Sequence, residues 1–233
     1  MHSEMPASRS KGFFITFEGL DGSGKTTQIH RLTSWLTSQK LPHLVTRQPG
    51  GTSIGDQIRS LLLDSRSAGL SPYTELAMMF ADRAQSIQQV IAPALEAGQI
   101  VLCDRFTDST EAYQGGGRQL GSEIVLELHR LLCNNLQPDL TILLLPDLHA
   151  SLSRARRRNA RHIEATGHDE NRFEQEKSDF FARVHAQYRQ IASRDRVRVV
   201  VIDGNHSVEQ VHQRVITAIA ARLGQSSLHV TGS

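Results

Sequence analysis

Cysteine is scarce in this chain of 233 residues, which has only Cys103 and Cys133. Two cysteines cannot build a disulfide framework, and Cys103 lies inside an apolar run, where a buried thiol is the ordinary state. A reducing, cytoplasmic setting is the expectation. Long hydrophobic stretches are missing as well. The longest apolar runs, such as Ile142 to Leu145, fall far short of the roughly 20 residues that a membrane-spanning helix needs. The opening MHSEMPASRSKG has no apolar centre of the kind a secretory leader carries, so no membrane partner is expected. A net charge of +2 is too small to imply a nucleic-acid partner. Charge is concentrated locally at Arg154, Arg156, Arg157, Arg158 and Arg161, with no aromatic residue interleaved to stack on bases. A guanine-specifying N-K-x-D is absent.

The chain does carry a short apolar strand running straight into Gly19-Leu20-Asp21-Gly22-Ser23-Gly24-Lys25-Thr26. This segment fits the phosphate-binding loop G-x-x-x-x-G-K-[ST] at every fixed position. Its glycines let successive N–H groups turn inward around phosphate oxygens, and the helix that follows points its positive end at the same oxygens. Lys25 would bridge the β- and γ-phosphates of ATP, and Thr26 would hold Mg²⁺ through its hydroxyl. The loop residues, with Thr27 after them, form the expected ATP site.

Five apolar segments recur with helical patterns between them: Phe13 to Glu18, His43 to Arg47, Ile100 to Phe106, Leu140 to Leu145 and Val197 to Asp203. The alternation predicts an α/β fold, a parallel sheet with helices on its faces and ligands at the carboxyl ends of the strands. The signals at Gly19, Arg47 and Asp104 all sit at such ends. A helical pattern from Pro72 to Ala97 is interrupted at Pro93, and another helix is expected from about Glu174 to Arg194. Ser207 and Gln210 make a capping-box pattern. One domain is expected over 13–223, with 1–12 and 224–233 as disordered tails and the arginine-rich part, about 153–172, outside the core as a mobile lid.

Two further segments narrow the chemistry. Asp104 to Arg118 reads DRFTDSTEAYQGGGR, and Thr46 to Thr52 reads TRQPGGT. Together with the phosphate loop they resemble thymidylate kinase, the enzyme family that phosphorylates dTMP to dTDP with ATP and Mg²⁺. The resemblance runs from about Phe13 to Leu223. It implies the P-loop nucleoside monophosphate kinase architecture: a five-stranded parallel sheet, a closing lid and a homodimer packed through helices. Asp104, at a strand end beside the loop, can organise Mg²⁺ and its waters. Arg105 offers a bidentate fork for the acceptor phosphate.

By resemblance, Asp21 takes the 3′-hydroxyl of dTMP, Arg59 its phosphate and Arg83 the thymine O4. Ser109, Thr110 and Gln114 line the base and phosphate pocket, and Tyr113 presses on the sugar where a 2′-hydroxyl has no room. Leu20 to Ser23 carry no positive charge, so the chain resembles the class whose lid supplies the catalytic arginine. Arg154 and Arg158, at i and i+4, are the candidates; Arg157 and Arg161 are expected on the solvent or adenine side.

The chain departs from the family's pattern in three places. Gln48 stands where glutamate is usual, and Met79 stands where the thymine-stacking aromatic is usual, with Phe80 one later. Either Met79 or Phe80 can face Arg83 on a helix. Asn159 to Asp169 looks like a lid insertion, whose His162 and His168 are not read as metal ligands because no cysteine lies near them. Two other readings remain: a kinase for another deoxynucleoside monophosphate or a nucleoside, and a nucleotide-dependent switch or nucleic-acid-binding P-loop protein.

Overall fold

Phe13–Glu18 forms β1, the central strand of a five-stranded sheet in the order β2-β3-β1-β4-β5, with every pairing parallel. In the computed structural model, which describes residues 12–155, 157, 172, 173 and 175–223, the other strands are β2 (His43–Arg47), β3 (Ile100–Asp104), β4 (Leu140–Leu144) and β5 (Val199–Ile202). Helices α1 (Lys25–Ser38), α2 (Ser53–Leu63), α3 (Pro72–Ser86) and α4 (Ala92–Glu96) precede β3. Then come α5 (Thr107–Thr110), α6 (Ser122–Leu132), α7 (helical at 148–155), α8 (Ser178–Arg194) and α9 (Val208–Arg222). Among the described residues no helix is long and apolar enough to cross a membrane.

The central strands β3, β1 and β4 are buried on both faces, which is why they read as nearly continuous apolar runs, while the edge strands β2 and β5 are partly exposed. Ile15 and Phe17 of β1 point to a layer made by α1 and α9, packing with Ile29, Leu32, Leu36, Val215 and Ile219. Phe14 points the other way, to Ile91, Ala94, Val101 and Phe106. Leu143 joins a third cluster with Tyr113, Phe180, Val184 and Tyr188, beneath α8. The period-two alternation of β1 thus feeds two layers at once.

Several boundaries differ from the sequence pattern. Strand β3 ends at Asp104, because Arg105 has φ +71° and turns the chain out of the sheet before Phe106. Val197 and Arg198 fall outside β5: Arg198 N–H donates to Asp195 Oδ1 at 3.1 Å and Val199 N–H to Asp195 O at 2.9 Å, closing a turn after α8. Leu145 likewise follows β4 rather than ending it. Pro93 breaks nothing. A π turn over Ile87–Ile91 links α3 to α4, and Pro93 sits in the first turn of α4, where its missing N–H is not needed. Helix α8 begins at Ser178, not at 174. The Ser207–Gln210 capping box is formed at the start of α9. The expected tails lie outside the described residues except for Gly12, as does most of the expected lid.

Burial sets the cost of disturbing this sheet. Ile142 is fully buried in β4, so Ile142→Ala should lose about 2–5 kcal/mol. Val197→Ala, at a site 75% exposed, should stay within about 0.5 kcal/mol. Urea unfolding of the two variants beside the parent measures both.

Candidate active site

The order of strands places a switch point at β1, whose neighbours β3 and β4 come from opposite directions in the sheet. The loop from Gly19 to Gly24 opens above it. Gly22 has φ +76°, and a Cβ there would run into Ser151 O and stand 2.8 Å from Ala155 N. Glycine therefore lets α7 lie directly against the loop. Lys25, in the first turn of α1, donates from Nζ to Gly19 O and Leu20 O, each at 3.0 Å. Burial, and then the charge of Arg105, bring its pKa down to about 8, so it remains mostly protonated at neutral pH. Thr26 and Thr27 are exposed beside it.

Arg105 spans the mouth of the loop. Its Nη2 donates to Asp21 Oδ1 at 2.8 Å, and its Nη1 to Gly19 O and Ser109 Oγ, each at 3.0 Å. The guanidinium carbon lies 5.1 Å from the centre of the Tyr113 ring. Parallel pairing sets Asp104 opposite Phe17 on one side and Arg47 on the other. Asp104 Oδ1 is buried with no hydrogen-bond partner. An oxygen of that kind beside a phosphate loop, with the Thr26 hydroxyl exposed nearby, fits the oxygen-only donor set that Mg²⁺ prefers.

A second constellation gathers around Arg83, which is 2% exposed. Its Nε donates to Gln48 Oε1 at 2.9 Å, and its Nη2 to Phe106 O at 3.2 Å and Thr110 Oγ1 at 2.8 Å. Arg83 Nη1, Gln48 Nε2 and Gln114 Oε1 are buried without partners. Leaving such atoms unpaired costs on the order of 1–3 kcal/mol each, and their gathering marks a place that a polar ligand would complete. Gln114 Nε2 donates to Glu75 at 2.8 Å. Arg59 donates from Nη1 to Pro49 O at 3.2 Å, in the turn that follows β2.

Met79 and Phe80 separate clearly. Phe80 is fully buried with Leu76, Val125 and Cys133, and the Arg83 guanidinium covers its ring at 5.0 Å. It has no accessible face for a base, which corrects its place among the substrate-binding candidates. Met79 packs instead at the edge of the cluster that holds Tyr113 and Phe173. The Ser109 hydroxyl is engaged with Glu18, Tyr188 and Arg105.

From α7, Arg154 Nε donates to Gly22 O at 2.7 Å, so an arginine outside the loop touches it. Arg157 is exposed and bonds weakly back to Ser153 O at 3.4 Å. Arg158, Arg161, His162 and His168 lie outside the described residues. At the far end of that stretch Arg172 is held by Glu75, with Nη1 to Oε2 at 2.7 Å, and by the carbonyl of Leu62.

A sequence model of the thymidylate kinase family matches residues 17–215, nearly the whole of this frame. The chain belongs to the thymidylate kinase family. It is 46% identical over 209 residues to the thymidylate kinase of Pelobacter propionicus, covering 89% of this chain and 94% of that one. The thymidylate kinase of Desulfovibrio desulfuricans is 45% identical over 212 residues, 90% of this chain and 96% of the relative. In structure, the thymidylate kinase of Ehrlichia chaffeensis superposes with a TM-score of 0.70 at 32% identity, covering 89% of this chain and 98% of that one.

Within the thymidylate kinase frame, sequence reading passed over Glu18 and Tyr188. Both are buried polar groups at the centre of the site. Glu18, the last residue of β1, was visible as a carboxylate in an apolar strand. Tyr188 had no local signal, because it reaches the site from α8. The division between Met79 and Phe80 gives a direct test. Phe80→Ala should lower unfolding stability by about 3–5 kcal/mol, whereas Met79→Ala should cost less, as read by thermal or urea unfolding without ligand.

Proposed function

We infer that this chain transfers the γ-phosphoryl group of ATP to the 5′-phosphate of dTMP, giving ADP and dTDP, and so serves dTTP synthesis. The observation that carries the reading is the meeting of two cations from different elements at one loop: Lys25 below it and Arg105 across its mouth. Transfer between two phosphates needs positive charge on the donor side, on the acceptor side and on the group in flight.

Gly19 to Thr27 would bind ATP, with Lys25 on the β- and γ-phosphates. Mg²⁺ would be held by Thr26 and Asp104 with water, where it would neutralise charge between those phosphates. Arg105 and Arg59 would receive the phosphate of dTMP. Arg83, with Gln48 fixing its plane, would donate to thymine O4, while Thr110 and Gln114 close the base pocket and Met79 covers the ring. Asp21 would accept from the 3′-hydroxyl, and Tyr113 would fill the space of a 2′-hydroxyl. Arg154 and Arg158 would supply charge to the migrating group, since Leu20 to Ser23 have none. The contact between Arg154 and Gly22 supports that assignment.

The buried free thiols of Cys103 and Cys133 suit the cytoplasm. A homodimer is supported by apolar side chains left exposed on packed neighbours: Ile54 and Leu61 on α2, Tyr73 on α3, and Leu126 and Leu131 on α6. Light scattering of the purified protein decides between dimer and monomer.

A coupled assay with ATP and dTMP, dUMP, dCMP, dGMP or thymidine tests the assignment, with dTMP expected as the favoured acceptor; activity confined to thymidine would overturn it. Lys25→Ala should depress turnover strongly, whereas Arg105→Ala should also weaken direct binding of dTMP. Arg154→Ala should slow single-turnover transfer by at least about tenfold with both ligands still bound. Transfer at the parent rate would leave α7 as a cover only.

A further inference from the structure

Glu18 has no part in the transfer just described, yet it is buried at the centre of the site, 1% exposed. Its Oε1 accepts from Phe106 N–H at 2.7 Å. Its Oε2 accepts from the Ser109 hydroxyl, and the Tyr188 hydroxyl stands 3.5 Å away. A serine hydroxyl has one proton and two lone pairs. With the proton directed at Glu18, the lone pairs are left for Tyr188 O–H at 2.8 Å and Arg105 Nη1 at 3.0 Å. Every bond in the chain therefore takes its direction from a carboxylate that only accepts. The polar atoms of residues 18, 109 and 188 are engaged with one another and with Phe106 N–H, and the side chain they hold in place is Arg105.

We propose that Glu18 is a positioning residue for the acceptor phosphate: by fixing the direction of the Ser109 and Tyr188 hydroxyls, it holds the Arg105 guanidinium where dTMP must meet it. The inference rests on the reading of Arg105 as the acceptor-phosphate residue. The backbone of Arg105 already sits at φ +71°, so its side chain starts from an unusual direction and depends on such partners to reach the loop. An amide at position 18, as in Glu18→Gln, would keep the shape and reverse one bond. Its carbonyl oxygen could still accept from Phe106 N–H, but its NH₂ group would then oppose the Ser109 proton, donor against donor.

Protonation should act in the same direction. The charged and titratable groups facing Glu18 are Cys103 on β3, Arg105 at its exit, Asp108 on α5, Lys25 on α1, Arg83 on α3 and Tyr188 on α8. Asp108 is itself tied to Arg198, at 2.6 and 3.0 Å. Burial, and then Asp108, push the Glu18 carboxyl up to about 7. As pH falls through that value the carboxylate gains a proton and becomes a donor, so Ser109 must turn its own proton away and the KM for dTMP should rise. A phosphate ester takes its second proton near pH 6, so the informative quantity is the difference between the parent and Glu18→Gln.

The test measures KM and kcat for dTMP and ATP, from pH 5.5 to 9, in the parent, Glu18→Gln, Ser109→Ala, their double variant and Arg105→Ala. Glu18→Gln should raise the KM for dTMP about tenfold, with the KM for ATP within about twofold. The double variant should be no worse than Ser109→Ala alone, because both act through one chain. Below pH 7 the parent's KM should climb while that of Glu18→Gln follows only the substrate. Additive effects, a loss confined to kcat, or parallel pH profiles would overturn the proposal. If Arg105→Ala leaves the KM unchanged, the acceptor reading falls and this one with it. If Arg105→Ala raises the KM and Glu18→Gln does not, only the role of Glu18 falls. Should Glu18→Gln fail to fold, Tyr188→Phe removes one hydroxyl from the same chain; a raised KM for dTMP supports the proposal, and an unchanged one sinks it.

Discussion

A single guanidinium, that of Arg105, ties together parts of the chain that local structure would leave apart. It bonds to the loop carbonyl of Gly19, to the loop carboxylate of Asp21 and to Ser109 on α5, and it lies over Tyr113. Arginine suits this place because its donors are spread in a rigid plane and its charge cannot be lost. A lysine would offer one point of charge and could not meet all these partners at once. The bend at φ +71° that ends β3 and the aromatic cluster beneath α8 both serve to bring that plane to the phosphate loop.

The same use of buried charge recurs between α3, the π turn Glu111–Gly117 and α8. Glu75, fully buried on α3, receives Arg118, Arg172 and the amide of Gln114. Glu111 in the π turn Glu111–Gly117 receives both Nη1 and Nη2 of Arg194 at 2.7 Å. Buried carboxylates that lose such partners cost several kcal/mol. These pairs therefore fix how α3, the π turn Glu111–Gly117 and α8 sit around the pocket more firmly than apolar contacts alone, which tolerate sliding.

Much of this was legible in the sequence because it is local. The phosphate loop, the strand cores and the capping box at Ser207 depend on neighbours a few residues away. The strand boundaries that differ share one cause: an apolar residue in the pattern need not belong to the sheet. Phe106 is buried but leaves the sheet, and Val197 is apolar yet 75% exposed in a turn closed by Asp195. Met79 and Phe80 could not be separated by helical spacing, since both lie within reach of one face; α6 decides, by supplying Val125 and Cys133 to Phe80. The network that joins Glu18 to Tyr188 was illegible for a similar reason. Their partners are 88 and 79 residues distant in the chain, and only the assembled sheet brings them together.

The placement of β1 has a consequence for how the chain reaches this state. Of the five strands it emerges first in synthesis, but its hydrogen-bonded neighbours are Ile100–Asp104 and Leu140–Leu144. Its second neighbour arrives only after β2 and β3 and the helices between them have been made. Until then β1 has an open edge, and an unpaired apolar edge is the kind of surface that pairs with the wrong chain. Sheets closed by such distant pairings form slowly. The strand that leads into the Gly19–Gly24 loop is thus made before all its partners and enclosed only once the later of them has arrived.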